Sequence, residues 1–171
     1  LNIFTVLTLV FVFACKENKN TSESTSEEIN KTEKDATHLS DDELLDIVQK
    51  QTLKYFWDYA EPNSGLGRER FHPDGNYPNK DPQTVTTGGS GFGLMGIVVG
   101  MERNFIDREE AVNRLDKIAS FLENTPRYHG AWPHWIDGET ANTESFGSDS
   151  KDNGGDIVET SFLAQGFIVV R

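Results

Sequence analysis

"GGSGFGLMGIVVGMERNFIDREEAVNRLDKIASFLEN", Gly88 to Asn124, holds two helical patterns of opposite character joined by a few residues. From Gly88 to Phe105 nearly every residue is apolar or small. A helix apolar on all sides is a buried helix, and its glycines let neighbouring backbones approach closely. The glycines do not form a phosphate loop, because no Gly-Lys-Ser/Thr follows them. From Asp107 to Asn124 the pattern is amphipathic. Asp107 and Glu110 have capping-box spacing, and Ala111, Leu115, Ile118 and Leu122 form one stripe. The short join predicts an antiparallel helical hairpin, and hence an all-α fold.

Two further helices are expected on either side. "LSDDELLDIVQKQTLKYFWDYAE" opens with Ser40 and Glu43 in a capping box. Leu44, Ile47, Val48, Tyr55, Phe56 and Tyr59 then recur at helical spacing, and Pro62 and Gly65 close the helix. Residues 65–87, "GLGRERFHPDGNYPNKDPQTVTT", read as a long loop of the kind that carries function. After the hairpin, "YHGAWPHWIDGETAN" reads as a short extended segment turning at Asp137-Gly138-Glu139, and "TESFGSDSKDNGG" as a polar loop. The last helix starts near Gly155 or Asp156 and runs to Arg171, with an apolar stripe through Phe162, Phe167 and Ile168. No Gly, Pro or polar cap ends it, and a domain rarely exposes such a helix. The expectation is the N-terminal part of a longer protein.

The first residues follow different rules. "IFTVLTLVFVFAC" has the length of a signal-peptide apolar region and is too short for a membrane span. An apolar run ending in Ala14 and then Cys15 resembles a bacterial lipoprotein signal, although Phe13 is bulky and no basic residue precedes the run. Residues 1–14 are expected to be the signal and Cys15 the lipid-bearing residue of a cell-envelope protein, periplasmic or on the outer surface. Residues 15–39 are Ser, Thr, Glu, Lys and Asn with almost no large apolar side chain, a composition that cannot offset its ordering entropy. They read as a tether ahead of a domain spanning 40–171.

The chain has 171 residues, a formal net charge of -12 and one cysteine. Such acidity disfavours nucleic acid as a partner, and a lone cysteine forms no intrachain disulfide. Aromatics make up 11% of the residues; rings among polar groups suit both sugar faces and cores. No zinc spacing is present, and the loop from Asp149 breaks the EF-hand pattern at Lys151 and Thr160. No metal and no cofactor are expected, with calcium in the Asp-rich loop as the alternative. A monomer is expected.

The candidate site is "DNGGDIVETSFLAQG", residues 152–166. Asp156 and Glu159 lie three apart and share a helix face, and Asp152 can approach it. One reading is helix-start chemistry, with the acids capping and complementing the N-terminus. The other is a ligand site in which Asp156 stays ionised, Glu159 is the better holder of a proton, and the acids bind sugar hydroxyls and polarise a water. Two carboxylates side by side on one helix supply at most one of the two that flank a scissile glycosidic bond. Trp132 and His134 are expected on one face of the extended stretch and Trp135 on the other. Either one tryptophan lines a sugar subsite, or both pack in the core with His134 as a structural hydrogen bonder.

Three segments together, "TGGSGFGLMGIVVGMERNFIDREEAVNRL", "HGAWPHWIDGETAN" and "DNGGDIVETSFLAQG", closely resemble the bacterial glycoamylase-like domain family, which includes endo-β-1,2-glucanases. The resemblance covers about residues 40–171. It implies an (α/α)6 barrel of which about the first third is present, and an inverting glycoside hydrolase acting on β-linked glucan. Asp152, Asp156 and Glu159 match family acids lining the cleft, and Trp132 and His134 lie in the matching cleft loop. It also implies a general acid farther along than Arg171, so that this portion alone is expected to be inactive. A non-catalytic glycan-binding lipoprotein is the alternative.

Overall fold

The computed structural model describes residues 38–79, 81–145 and 154–171. Cys15, the signal and tether segments, and Asp152 lie outside the described residues. Seven elements follow in order: α1 (Asp41–Trp57), β1 (Thr84–Thr86), α2 (Thr87–Glu102), α3 (Arg108–Asn124), β2 (Trp135–Asp137), β3 (Thr143–Glu144) and α4 (Ile157–Val170). The four expected helices are present. The chain divides after Leu44, and the elements that build the site all belong to residues 45–171.

α1 starts as read: Ser40 and Glu43 bond to each other in both directions, Ser40 N–H donating to Glu43 Oε2 over 2.9 Å. Its expected stripe is corrected. Leu44, Ile47 and Val48 are about half exposed, and only Leu53 of this helix is buried. Helical spacing marks a face, but burial requires something packed on it.

α3 follows its sequence closely. Asp107 Oδ1 accepts from the N–H groups of Glu109 and Glu110. Ala111, Ile118 and Leu122 are buried, and Leu115 packs against the same core. That core also takes Leu94 and Ile97 from α2, Val85 from β1, Ile136 from β2, Leu163 from α4 and Leu66 from the loop after α1. Each such side chain stabilises the fold by roughly 1.5–3 kcal/mol on burial.

α4 corrects a second expectation. Phe167 packs against the core as expected, but Phe162 and Ile168 are exposed, and the buried residues are Leu163 and Gly166. Being apolar on nearly every side, α4 has no periodicity to select a face, so shape decides. Gly91 of α2 and Gly166 of α4 meet backbone to backbone, and a Cβ on either would fall inside the other helix's main chain. The contacts advance in step: Gly88 meets Glu159, and Gly91 meets Phe162, Leu163 and Gly166. α2 and α4 therefore run parallel, with their N-termini at the same end.

A small antiparallel sheet of order β1-β2-β3 sits at that end. Its register pairs Thr84 with Asp137, Val85 with Ile136 and Thr86 with Trp135, then Trp135 with Glu144 and Ile136 with Thr143. The expected long loop thus contains a strand, β1, and the extended segment with its turn is a hairpin, β2–β3. Val85 and Ile136 point into the core at 0% exposure, so Thr84, Thr86, Trp135, Asp137 and Glu144 occupy the opposite face. Glu61 fixes the preceding loop. Fully buried, it accepts from Ser64 N–H and Oγ–H, both at 2.7 Å, and from Asn63.

Candidate active site

The parallel starts of α2 and α4 create a positive corner. The first N–H groups of each helix lack intrahelical partners, and the two macrodipoles point their positive ends the same way. Two carboxylates answer this. Asp156 caps its own helix, Oδ1 accepting from Val158 N–H at 2.9 Å and Glu159 N–H at 3.0 Å. Glu159 caps the neighbouring one. The N-cap residue of α2, Thr86, makes no side-chain cap bond; instead Glu159 Oε2 accepts from Gly88 N–H at 2.7 Å and from Thr86 Oγ–H at 3.0 Å. Gly88 has to be glycine for this, because a Cβ there would lie 2.6 Å from Glu159 Oε2.

His134 joins the pair. Its Nδ1 lies 2.9 Å from Asp156 Oδ2. An ionised carboxylate only accepts, so the hydrogen between them belongs to Nδ1. Burial favours the neutral form of Asp156, but the Glu159 N–H, the His134 ring and the Val158 N–H outweigh it. The Asp156 pKa falls below the usual aspartate value, in line with the expectation that this residue stays ionised. At Glu159, Gly88 N–H can only donate, so Oε2 is an acceptor there.

The segment carrying His134 is pinned on both sides. Thr87 N–H donates to His134 O at 3.1 Å, and Asp156 N–H to Trp132 O at 2.7 Å. Trp132 N–H donates to Thr160 Oγ at 2.9 Å, and the Thr87 hydroxyl to Pro133 O at 2.5 Å. Backbone bonds and two threonine hydroxyls thus hold the three segments in register at one corner.

The tryptophans separate. Trp132 packs against the hydrophobic core, its indole N–H reaching Leu122 O at 3.3 Å and Arg127 lying over its ring. Trp135 sits half-buried on the outer sheet face, edge-on to His134 with ring centres 5.7 Å apart. Because β2 begins only at Trp135, strand alternation does not extend back to Trp132; the predicted sharing of a face by Trp132 and His134 does not follow. Asp156, Glu159 and His134 come together, Trp135 stands beside them, and Trp132 supports from beneath. Thr86 and Gly88 were not singled out by the sequence. The signal for them was a Thr-Thr-Gly-Gly run at the start of an apolar helix, which is ordinary without knowledge of what faces it.

No protein-family model matches the chain. It is 52% identical over 133 residues to the exo β-1,2-glucooligosaccharide sophorohydrolase (non-reducing end) of Parabacteroides distasonis, covering 78% of this chain and 17% of that protein. An endo-β-1,2-glucanase from Chitinophaga pinensis, solved with sophorotriose and glucose, superposes with a TM-score of 0.73 at 58% identity, over 76% of this chain and 31% of that one. The β-1,2-glucanase structure from Parabacteroides distasonis gives a TM-score of 0.68 at 53% identity, over 76% and 18%. The chain thus spans less than a third of the length of these relatives. Its helices, with the parallel pair α2 and α4, form part of a glucoamylase-like (α/α)6 barrel. Over about three quarters of its own length, the chain thus resembles β-1,2-glucan hydrolases of the glycoamylase-like kind.

Proposed function

We propose that this protein is a glycoside hydrolase that cleaves β-1,2-linked glucan with inversion, and that Asp156, Glu159 and His134 line its substrate cleft. The observation that carries this reading is the convergence of two carboxylates and a histidine at the paired N-termini of α2 and α4. In such a corner Asp156 and Glu159 accept hydrogen bonds from sugar hydroxyls, and ionised Asp156 with His134 orients a water against the sugar. Trp135 extends the proposed cleft wall, with Trp132 supporting it from the core, and Asp152 is a further proposed cleft acid outside the described residues. The second carboxylic acid of an inverting pair lies across the scissile bond, about 6.5–9.5 Å away.

The test is incubation of the full-length protein with linear β-1,2-glucan. Product chromatography should show shorter sophoro-oligosaccharides, and proton NMR of the first products should show the inverted anomer. Binding without release of any product would replace hydrolysis with a glycan-binding role. The proposal includes a lipid anchor at Cys15 and a cell-envelope location, with the protein acting as a monomer. Cys15→Ser should move the protein from the membrane fraction to the soluble fraction; retention in the membrane would rule the anchor out.

A further inference from the structure

The outer sheet face carries a carboxyl group that the site described above leaves unused. Glu144 is directly opposite Trp135, and its side chain crosses β2 so that Thr84 Oγ–H donates to Oε2 at 2.5 Å. Thr84 and Thr86 are two residues apart on β1 and share this face. One hydroxyl meets Glu144 and the other meets Glu159. At the strand rise, the two threonines stand about 7 Å apart, so the row continues the site by roughly the length of one sugar ring. Trp135 lies between, with Thr86 as its neighbour on one side and Glu144 on the other. A half-buried ring flanked by carboxyl and hydroxyl groups has the makeup of a sugar-binding surface: an apolar face for the ring and acceptors for its hydroxyls.

A purely structural role explains Glu144 poorly. Burial raises its affinity for a proton against the lowering effect of Thr84, and Asp137 and Asp81 raise it further. A carboxyl perturbed in this way, at the edge of a site, is a candidate functional position.

We propose that Glu144, held by Thr84 and set beside Trp135, is a substrate-positioning residue that binds a glucosyl hydroxyl one sugar unit from the Asp156–Glu159 corner. The inference rests on the glucan-hydrolase reading. Its test uses the full-length protein, linear β-1,2-glucan, and steady-state kinetics alongside thermal melting. Glu144→Ala should raise KM about tenfold, leave kcat within about twofold, and keep the melting temperature. Glu144→Gln, which still reaches Thr84 and a hydroxyl, should restore most of the KM. Glu144→Asp is too short to cross β2 and should behave like the alanine variant, which covers the case in which alanine fails to fold. Unchanged kinetics in the alanine or aspartate variant overturns the proposal. So does a loss of kcat and melting temperature together without a KM change. An inactive wild-type protein would defeat the hydrolase reading itself, whereas an active wild type with an indifferent Glu144 defeats this inference alone.

Discussion

α3 and α4 begin with the same device. Asp107 accepts from the backbone N–H groups two and three residues on, and Asp156 does the same. The local chemistry is interchangeable. The surroundings are not: Asp107 lies exposed at the protein surface, while Asp156 turns its second oxygen to His134, 22 residues earlier in the chain. A helix cap is therefore compatible with a site and does not by itself indicate one; the long-range partner makes the difference.

Substitutions at the two aspartates test this contrast. Asn caps a helix as well as Asp does, so the Asn variants separate capping from charge. Asp156→Asn should lower turnover of β-1,2-glucan by about 10²-fold or more, the range for loss of a positioned acid–base group. Asp107→Asn should leave turnover unchanged. Equal effects at both positions, measured by reducing-end release, would erase the distinction. Gly88→Ala comes next. Its Cβ would displace Glu159 from the start of α2, and turnover should drop about tenfold or more, of the order seen when site groups are misplaced. A variant with normal turnover would remove Glu159 from the cleft. Asp107→Ala has the third effect: denaturant titration should show a loss of about 1 kcal/mol from the missing cap, with activity per folded molecule intact.

The smallest effect concerns pH. The Asp156 pKa is lowered in the folded protein, so its contribution to stability is fully present above the unfolded value of about 3.9 and is lost as pH falls below that value through the folded pKa. The melting-temperature advantage of wild type over Asp156→Asn should therefore be constant above about pH 4 and shrink only below it. A difference that persists undiminished into strong acid would contradict the assigned ionisation.

How legible each element was in the sequence follows the range of its determinants. α3 could be read completely, because cap and stripe are set by residues three and four apart. α4 could be located but not oriented: its buried face is chosen by the meeting of Gly166 with Gly91, and an all-apolar pattern carries no trace of that. The sheet stayed hidden because strands of two and three residues are too short to show alternation. In the candidate site, Asp156 and Glu159 were singled out through their spacing and a family resemblance. The partners of Glu159 stand 71 and 73 residues away, and only the parallel packing of α2 and α4 brings them together.

The tertiary cap on α2 has a consequence for how this protein can change. Acids gathered in a cleft usually repel one another and weaken a fold, so that replacing them trades activity for stability. Here the same oxygens compensate two helix ends that would otherwise face each other with like polarity. Removing them should harm both properties at once. Conversely, whatever draws on Glu159 also draws on the first turn of α2, which makes occupancy of the corner and the order of that helix end two readings of one equilibrium.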